Sequence, residues 1–220
     1  MRKVLLVLIS MVIAATTALY AQEVVVVQGQ DDQCKGKQDV FSLGQIRIGG
    51  GGVYLLDPTF DNIKNIPGST VNRWGGSGTL QFMFGSIFDN ERVFWGISGD
   101  YLRTYNYKTP AVGGTREVTL TSIPIQVIWE WDLGGKKAAI FPFIQWGLGA
   151  SIDRLETKAP LGGNDTTTTT DFVLSGGPGF GIRLSDAFSV DFIGKYYLLF
   201  TGSQYTQVLN FTGALNFKIR

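Results

Sequence analysis

The chain has no histidine and only one cysteine, Cys34. The first absence removes imidazole from every site: no histidine triad, no histidine metal ligand and no imidazole acid–base step is available. The second excludes an internal disulfide. Cys34 follows Gln30-Asp31-Asp32-Gln33, well past the apolar leader, so it reads as a tail residue rather than a lipid-anchored one. Charge is scarce as well. Charged residues make up 17% of the chain, against about 25% in soluble domains. The net charge of +1 gives no footprint for nucleic acid. Long hydrophobic runs are missing except for Val4 to Ala15, which falls short of the roughly 20 residues a membrane-spanning helix needs. Arg2 and Lys3 precede that run and small residues follow it, with Ala18 or Ala21 as cleavage points. Residues 1–21 therefore read as a signal peptide.

What the chain does have is glycine (29 residues), aromatics (13%) and a rhythm. Residues 22–43 begin β-prone at Val24 to Val27, turn polar, and are expected to form a periplasmic tail. From residue 44 to 220 apolar and polar residues alternate in eight segments, at 45–56, 78–88, 93–103, 117–131, 138–155, 171–184, 188–200 and 206–219. Period-two alternation over about ten residues, repeated between turns, predicts an all-β fold: an eight-stranded antiparallel up-and-down transmembrane β-barrel. The joins alternate too. Tight turns are expected at 89–92, 132–137 and 185–187, and longer joins at 57–77, 104–116 and 156–170, with a brief one at 201–205. An even strand count with both termini inside puts the longer joins outside.

The two faces differ in kind. The apolar face ends in aromatics, which predicts girdles at the two membrane interfaces. Trp95, Trp129, Trp131, Phe188 and Phe217 lie on the short-turn side. Tyr54, Tyr101, Phe172 and Tyr196 lie on the loop side. The other face carries Arg47, Gln81, Asp100, Gln126, Glu130, Arg183, Asp191 and Lys195. Eight strands enclose a lumen that side chains fill, and buried charges must pair. The expected pairs are Glu130 with Arg183, and Asp191 with Lys195 or Arg183. Phe141 and Phe143 break the pattern by falling on the polar side.

Three stretches carry a likeness: Ser122 to Val127 before a tight turn, Phe141 to Gly149 after it, and Gly177 to Asp186 leading into Phe188. On these the chain, from residue 44 to 220, resembles the small eight-stranded outer-membrane β-barrel superfamily, the OmpA-transmembrane, OmpX and OmpW-like porin-family group. The resemblance implies export to the bacterial outer membrane, contact with outer-membrane lipid and lipopolysaccharide, and recognition by the outer-membrane assembly machinery. In that group the assembly signal usually ends on an aromatic. Here Leu215, Phe217 and Ile219 lead to Arg220, and Phe217 is the nearest aromatic.

Familiar catalytic and cofactor signatures are missing. The glycines from 176 to 181 lack the lysine and helix of a phosphate loop. Asp89 and Glu91 read as solvated turn charges. Asn164-Asp165-Thr166 matches a glycosylation acceptor that a bacterial outer-membrane setting leaves silent. The expectation is a non-enzymatic barrel, without metal or cofactor, that displays loops for a surface ligand. Residues 57–77 (with Trp74) and 156–170 (ending in Thr166 to Thr170, expected as a mobile tip) are the main loops. A narrow channel for small or apolar solutes is the alternative, and a soluble calycin-type carrier a third reading.

Overall fold

In the computed structural model, the described residues are 43–56, 59–85, 92–134, 138–161, 163–201 and 204–219. The expected leader and tail, Cys34 and most of the turn at 89–92 lie outside them. Nine strands are described: β1 (Leu43–Leu55), β2 (Thr70–Asn72), β3 (Trp74–Phe84), β4 (Val93–Ala111), β5 (Gly114–Asp132), β6 (Ile140–Lys158), β7 (Asn164–Arg183), β8 (Phe188–Thr201) and β9 (Gln204–Lys218). One short helix, α1 (Thr59–Lys64), precedes β2. Among the described residues no helix is long and apolar enough to cross a membrane.

Every pairing is antiparallel. The long strands run β4-β3-β1-β9-β8-β7-β6-β5, and β5 pairs back onto β4. The sheet closes into an eight-stranded up-and-down barrel, with β2 as an outlying strand on β4. Closure removes every edge the long strands would otherwise expose. β1 begins at Leu43 and β9 ends at Lys218 on the same rim, where Gln45 faces Lys218.

The barrel is inside-out relative to a soluble one. Ile97, Ile125, Trp131, Ile144, Trp146, Phe180 and Phe211 are exposed on the outside, while Arg47, Gln81, Asp100, Gln126, Glu130 and Asp191 are buried within. A wall that presents side chains of this kind is matched to lipid, and its polar interior to itself.

The strands differ from the expected segments in length. β4 to β7 run 19 or 20 residues each, about twice what a tilted strand needs to span the hydrocarbon. The expected loops at 104–116 and 156–170 are mostly strand. The tract Thr166 to Thr170 is not a mobile tip. It pairs residue by residue with β6, from Thr166 opposite Glu156 to Thr170 opposite Ile152. Threonine is β-branched and suits a pleated surface even where water covers it. A two-residue turn, Val112-Gly113, links β4 to β5, and Gly113 has φ 85°, a value that costs glycine little. The four long strands thus rise as a crown on one side of the barrel. The opposite wall, β8, β9, β1 and β3, is shorter.

The expected loop 57–77 also has structure. It carries α1 and β2, and Trp74 is the first residue of β3. A register shift between Arg103 and Tyr105 leaves Thr104 unpaired. Such a bulge advances the side-chain alternation by one. Tyr105 and Tyr107 therefore turn inward and pack with Ile63 and Val71 on the top of the core.

Candidate functional site

The lumen is built in three levels. At the rim opposite to the crown sit Phe141 and Phe143, which β6 turns inward, with Ile193. Their place is made by β7, since a Cβ on Gly179 would overlap the Phe143 ring and one on Gly181 the Phe141 ring. The guanidinium of Arg183 lies 5.5 Å and the ammonium of Lys218 5.9 Å from the Phe141 ring centre. Arg47 lies 5.0 Å over Phe143. These are cation–π distances.

The middle level is polar, and Arg47 is its hub. Arg47 Nη2 donates to Glu130 Oε1 at 2.8 Å and Nη1 to Glu130 Oε2, so the guanidinium grips that carboxylate with two nitrogens. Its Nε donates to Asp191 Oδ2 at 2.7 Å. Gln145 Nε2 donates to Glu130 Oε2 at 3.1 Å, and Gln81 and Gln145 face each other. Asn216 Nδ2 and the Ser189 hydroxyl complete the shell of Asp191 at 3.0 and 2.8 Å. Higher up, Asp100 accepts from the Ser98 and Tyr197 hydroxyls and stands 3.6 Å from Lys195 Nζ. The Ser175 hydroxyl donates to Gln126.

The expected ion pairs are therefore corrected. Glu130 pairs with Arg47 and not with Arg183, which stands over Phe141 at the rim. Asp191 also pairs with Arg47, and Lys195 with Asp100. Asp191 and Lys195 share one strand face four residues apart, about 13 Å at the strand rise, and cannot meet.

The top level is apolar. Val53, Leu55, Leu102, Val173, Tyr197, Leu199 and Val208 form one cluster, each at most 1% exposed. Ile63 of α1 and Val71 of β2 cover it. The join expected as the longest outward loop is the lid of the lumen.

The expected girdle residues all stand on the outward face. Tyr101, Trp131, Phe172 and Phe217 are exposed; Tyr54, Trp95, Trp129, Phe188 and Tyr196 are half-buried by neighbours on the same face. Trp129 stacks on Trp146 at 4.9 Å, Phe188 meets Phe217 at 5.2 Å and Tyr54 meets Trp74 at 4.9 Å. Alternation did not mark Trp74, because it opens its strand.

One groove, of about 520 Å³, lies where β2, the start of β3, and the upper parts of β4 and β5 meet. Trp74, Arg103, Asn106, Lys108 and Glu117 line it. Asn106 Nδ2 donates to Glu117 Oε1 at 2.6 Å. That bond, helped by Lys108, holds the Glu117 carboxyl below its ordinary range, so it carries its charge at neutral pH.

A closed barrel of eight antiparallel strands, apolar outside and polar within, is the architecture of the small outer-membrane barrels. The chain has the fold of the small eight-stranded outer-membrane β-barrels. No protein-family profile and no curated protein matches the sequence. Among solved structures the chain is similar to neisserial surface protein A, at 12% identity and TM-score 0.48, covering 80% of this chain and 99% of that one. It is similar to Ail, the attachment invasion locus protein of Yersinia pestis, solved with the heparin analogue sucrose octasulfate, at 11% identity and TM-score 0.46, covering 80% and 99%. It is also similar to the outer membrane protein OprG of Pseudomonas aeruginosa, at 12% identity and TM-score 0.42, covering 82% and 98%. These are likenesses of fold.

Proposed function

We propose that the chain is a non-enzymatic integral protein of the bacterial outer membrane, delivered there by its cleaved leader and by the outer-membrane assembly machinery, for which Phe217 in the last strand is the nearest terminal aromatic. Its barrel is a closed scaffold, and its working surface is the crown of β4 to β7 with the lid of α1 and β2. One observation carries this reading: the apolar cluster from Val53 to Val208, capped by Ile63 and Val71, fills the lumen above a paired polar layer. A conducting path needs water through both, so the filled lumen favours a scaffold over a channel. The crown offers surface for a partner: Val112 and Leu161, at its hairpin tips, are 89% and 78% exposed.

Two outcomes are expected. Purified protein refolded into planar bilayers shows no reproducible single-channel conductance; steady conductance abolished by lumen substitutions would sink the scaffold reading. Shortening both crown hairpins, by joining Tyr105 to Val118 and Leu155 to Thr167, leaves a barrel that still migrates differently on gels before and after boiling. Tyr105 already packs on the top of the core, Val118 is buried, and Leu155 faces Thr167 across β6 and β7. Cells displaying the full protein are expected to adhere to matrix or neighbouring cells, and cells displaying the shortened protein to lose that adhesion. Unchanged adhesion would place the contact elsewhere.

A further inference from the structure

The groove of about 520 Å³ lies over the top of the apolar cluster, with Val71 and Tyr105, which pack on that cluster, as its inner wall. Its polar walls face outward. Lys108 pairs with Glu117 and Asn106 with Thr119 across β4 and β5, the register positions opposite to inward Tyr107 and Val118. On β4 the lipid-facing run ends at Tyr101, which is 49% exposed, and Arg103 is the next outward residue. The same height on the neighbouring strands is marked by Thr121 and Arg154, directly above the exposed pair Ile123 and Ile152. The groove therefore lies where the apolar outer face gives way to polar residues, which in the outer-membrane reading is the level of the headgroups.

Its lining is suited to a sugar that bears anionic groups. Trp74 is 59% exposed, and its ring is braced from behind by Tyr54 at 4.9 Å. A fixed indole face of this kind takes the C–H side of a pyranose. Asn72, Asn106 and Thr70 supply polar groups for hydroxyls around it. Arg103, whose charge also acts on the Glu117 carboxyl, brings a guanidinium to the lining, the side chain best shaped to hold a phosphate with two nitrogens. Lys108 adds a second cation, held at 3.9 Å from Glu117. The floor is bare. At Gly75 the β3 backbone comes so close to the Arg103 carbonyl that no Cβ fits, whereas a Cβ on Gly76 would meet nothing within 4 Å. The space beside Trp74 is open because Gly76 leaves it so.

We propose that this groove binds the phosphorylated sugar headgroup of a glycolipid in the surrounding outer leaflet, with Trp74 as the stacking face and Arg103 as the phosphate ligand. The inference rests on the outer-membrane reading above. It adds a defined site at which the wall grips one lipid, in place of general solvation by many.

The test uses the full mature chain refolded in detergent, with diphosphorylated lipid A as probe and native mass spectrometry to count retained lipid. Wild-type protein is expected to keep one lipid A in preference to phosphatidylglycerol. Gly76→Leu puts a side chain into the groove from a position where a Cβ meets nothing within 4 Å, and Arg103→Ala removes the phosphate ligand. Each is expected to weaken retention about tenfold, the scale of one charge-assisted contact. Trp74→Ala is expected to weaken lipid A and leave phosphatidylglycerol unchanged. Retention by Gly76→Leu and Arg103→Ala equal to wild type overturns the site, as does equal retention of phosphatidylglycerol. Competition by water-soluble glucosamine phosphate at the same concentration overturns the assignment to a lipid. All variants are checked for the gel shift on boiling. A wild-type chain that never shows that shift, nor enters vesicles, refutes the outer-membrane reading itself. A folded barrel with no lipid preference refutes only the groove.

Discussion

Replacing Arg47 with leucine is expected to destabilise the folded barrel by about 3–5 kcal/mol, the cost of orphaning buried charge. The size follows from what Arg47 holds apart. Glu130 reaches it from β5 and Asp191 from β8, and both carboxylates are at most 3% exposed. Without the guanidinium they face each other across a narrow lumen with only amides and one hydroxyl to solvate them. Arg47→Lys should recover little. One ammonium cannot match three donors aimed at two carboxylates, two of them on Glu130. The triple change Arg47→Met, Glu130→Gln and Asp191→Asn should recover most of the loss, because uncharged side chains of similar volume need no counter-ion. Arg183→Ala should cost much less, since that side chain stands over the Phe141 ring at the rim. Urea titration in lipid vesicles, read by the gel shift on boiling, orders the four variants. A loss for Arg183→Ala that equals the loss for Arg47→Leu would contradict the hub.

The face on which each charge lies was legible from the sequence, and its partner was not. Alternation with a period of two tells inside from outside. It says nothing of height around a closed cylinder, where strands are staggered. Arg47, Glu130 and Asp191 come from β1, β5 and β8, which do not neighbour one another, so no local spacing links them. The separation of Asp191 from Lys195 could have been read, because a strand's rise is fixed. Thr166 to Thr170 misled because water-facing strand and loop share a polar composition, and only pairing with β6 tells them apart. The bulge at Thr104 leaves no mark in composition, so the inward turn of Tyr105 and Tyr107, and with it the lid, lay beyond reach. The groove depends on that same bulge and on β2, a strand of three residues.

The two phenylalanines that broke the alternation lead to the second large effect. Gly179→Leu is expected to destabilise the barrel by at least the 1–3 kcal/mol typical of an overpacked core. The new Cβ would overlap Cε2 and Cζ of Phe143 and lie 3.0 Å from the Phe192 carbonyl. The ring has nowhere to go, as it is 1% exposed and Arg47 covers it at 5.0 Å. Pushing it aside also disturbs the guanidinium that holds Glu130 and Asp191, so the damage should not stay local. Phe143→Ala should be costly for the opposite reason, because it leaves a cavity worth about 3–5 kcal/mol beneath Arg47. If glycine on β7 exists to seat an aromatic from β6, the two changes must compensate. The double variant Gly179→Leu with Phe143→Ala puts a leucine where the ring was, and its loss should fall short of the sum of the singles by about 0.5–3 kcal/mol. Unfolding midpoints of the four proteins in one vesicle system close the cycle. Additive losses would mean that the glycine answers to the backbone of β8 rather than to the ring, and that Phe143 fills the lumen without needing a place made for it.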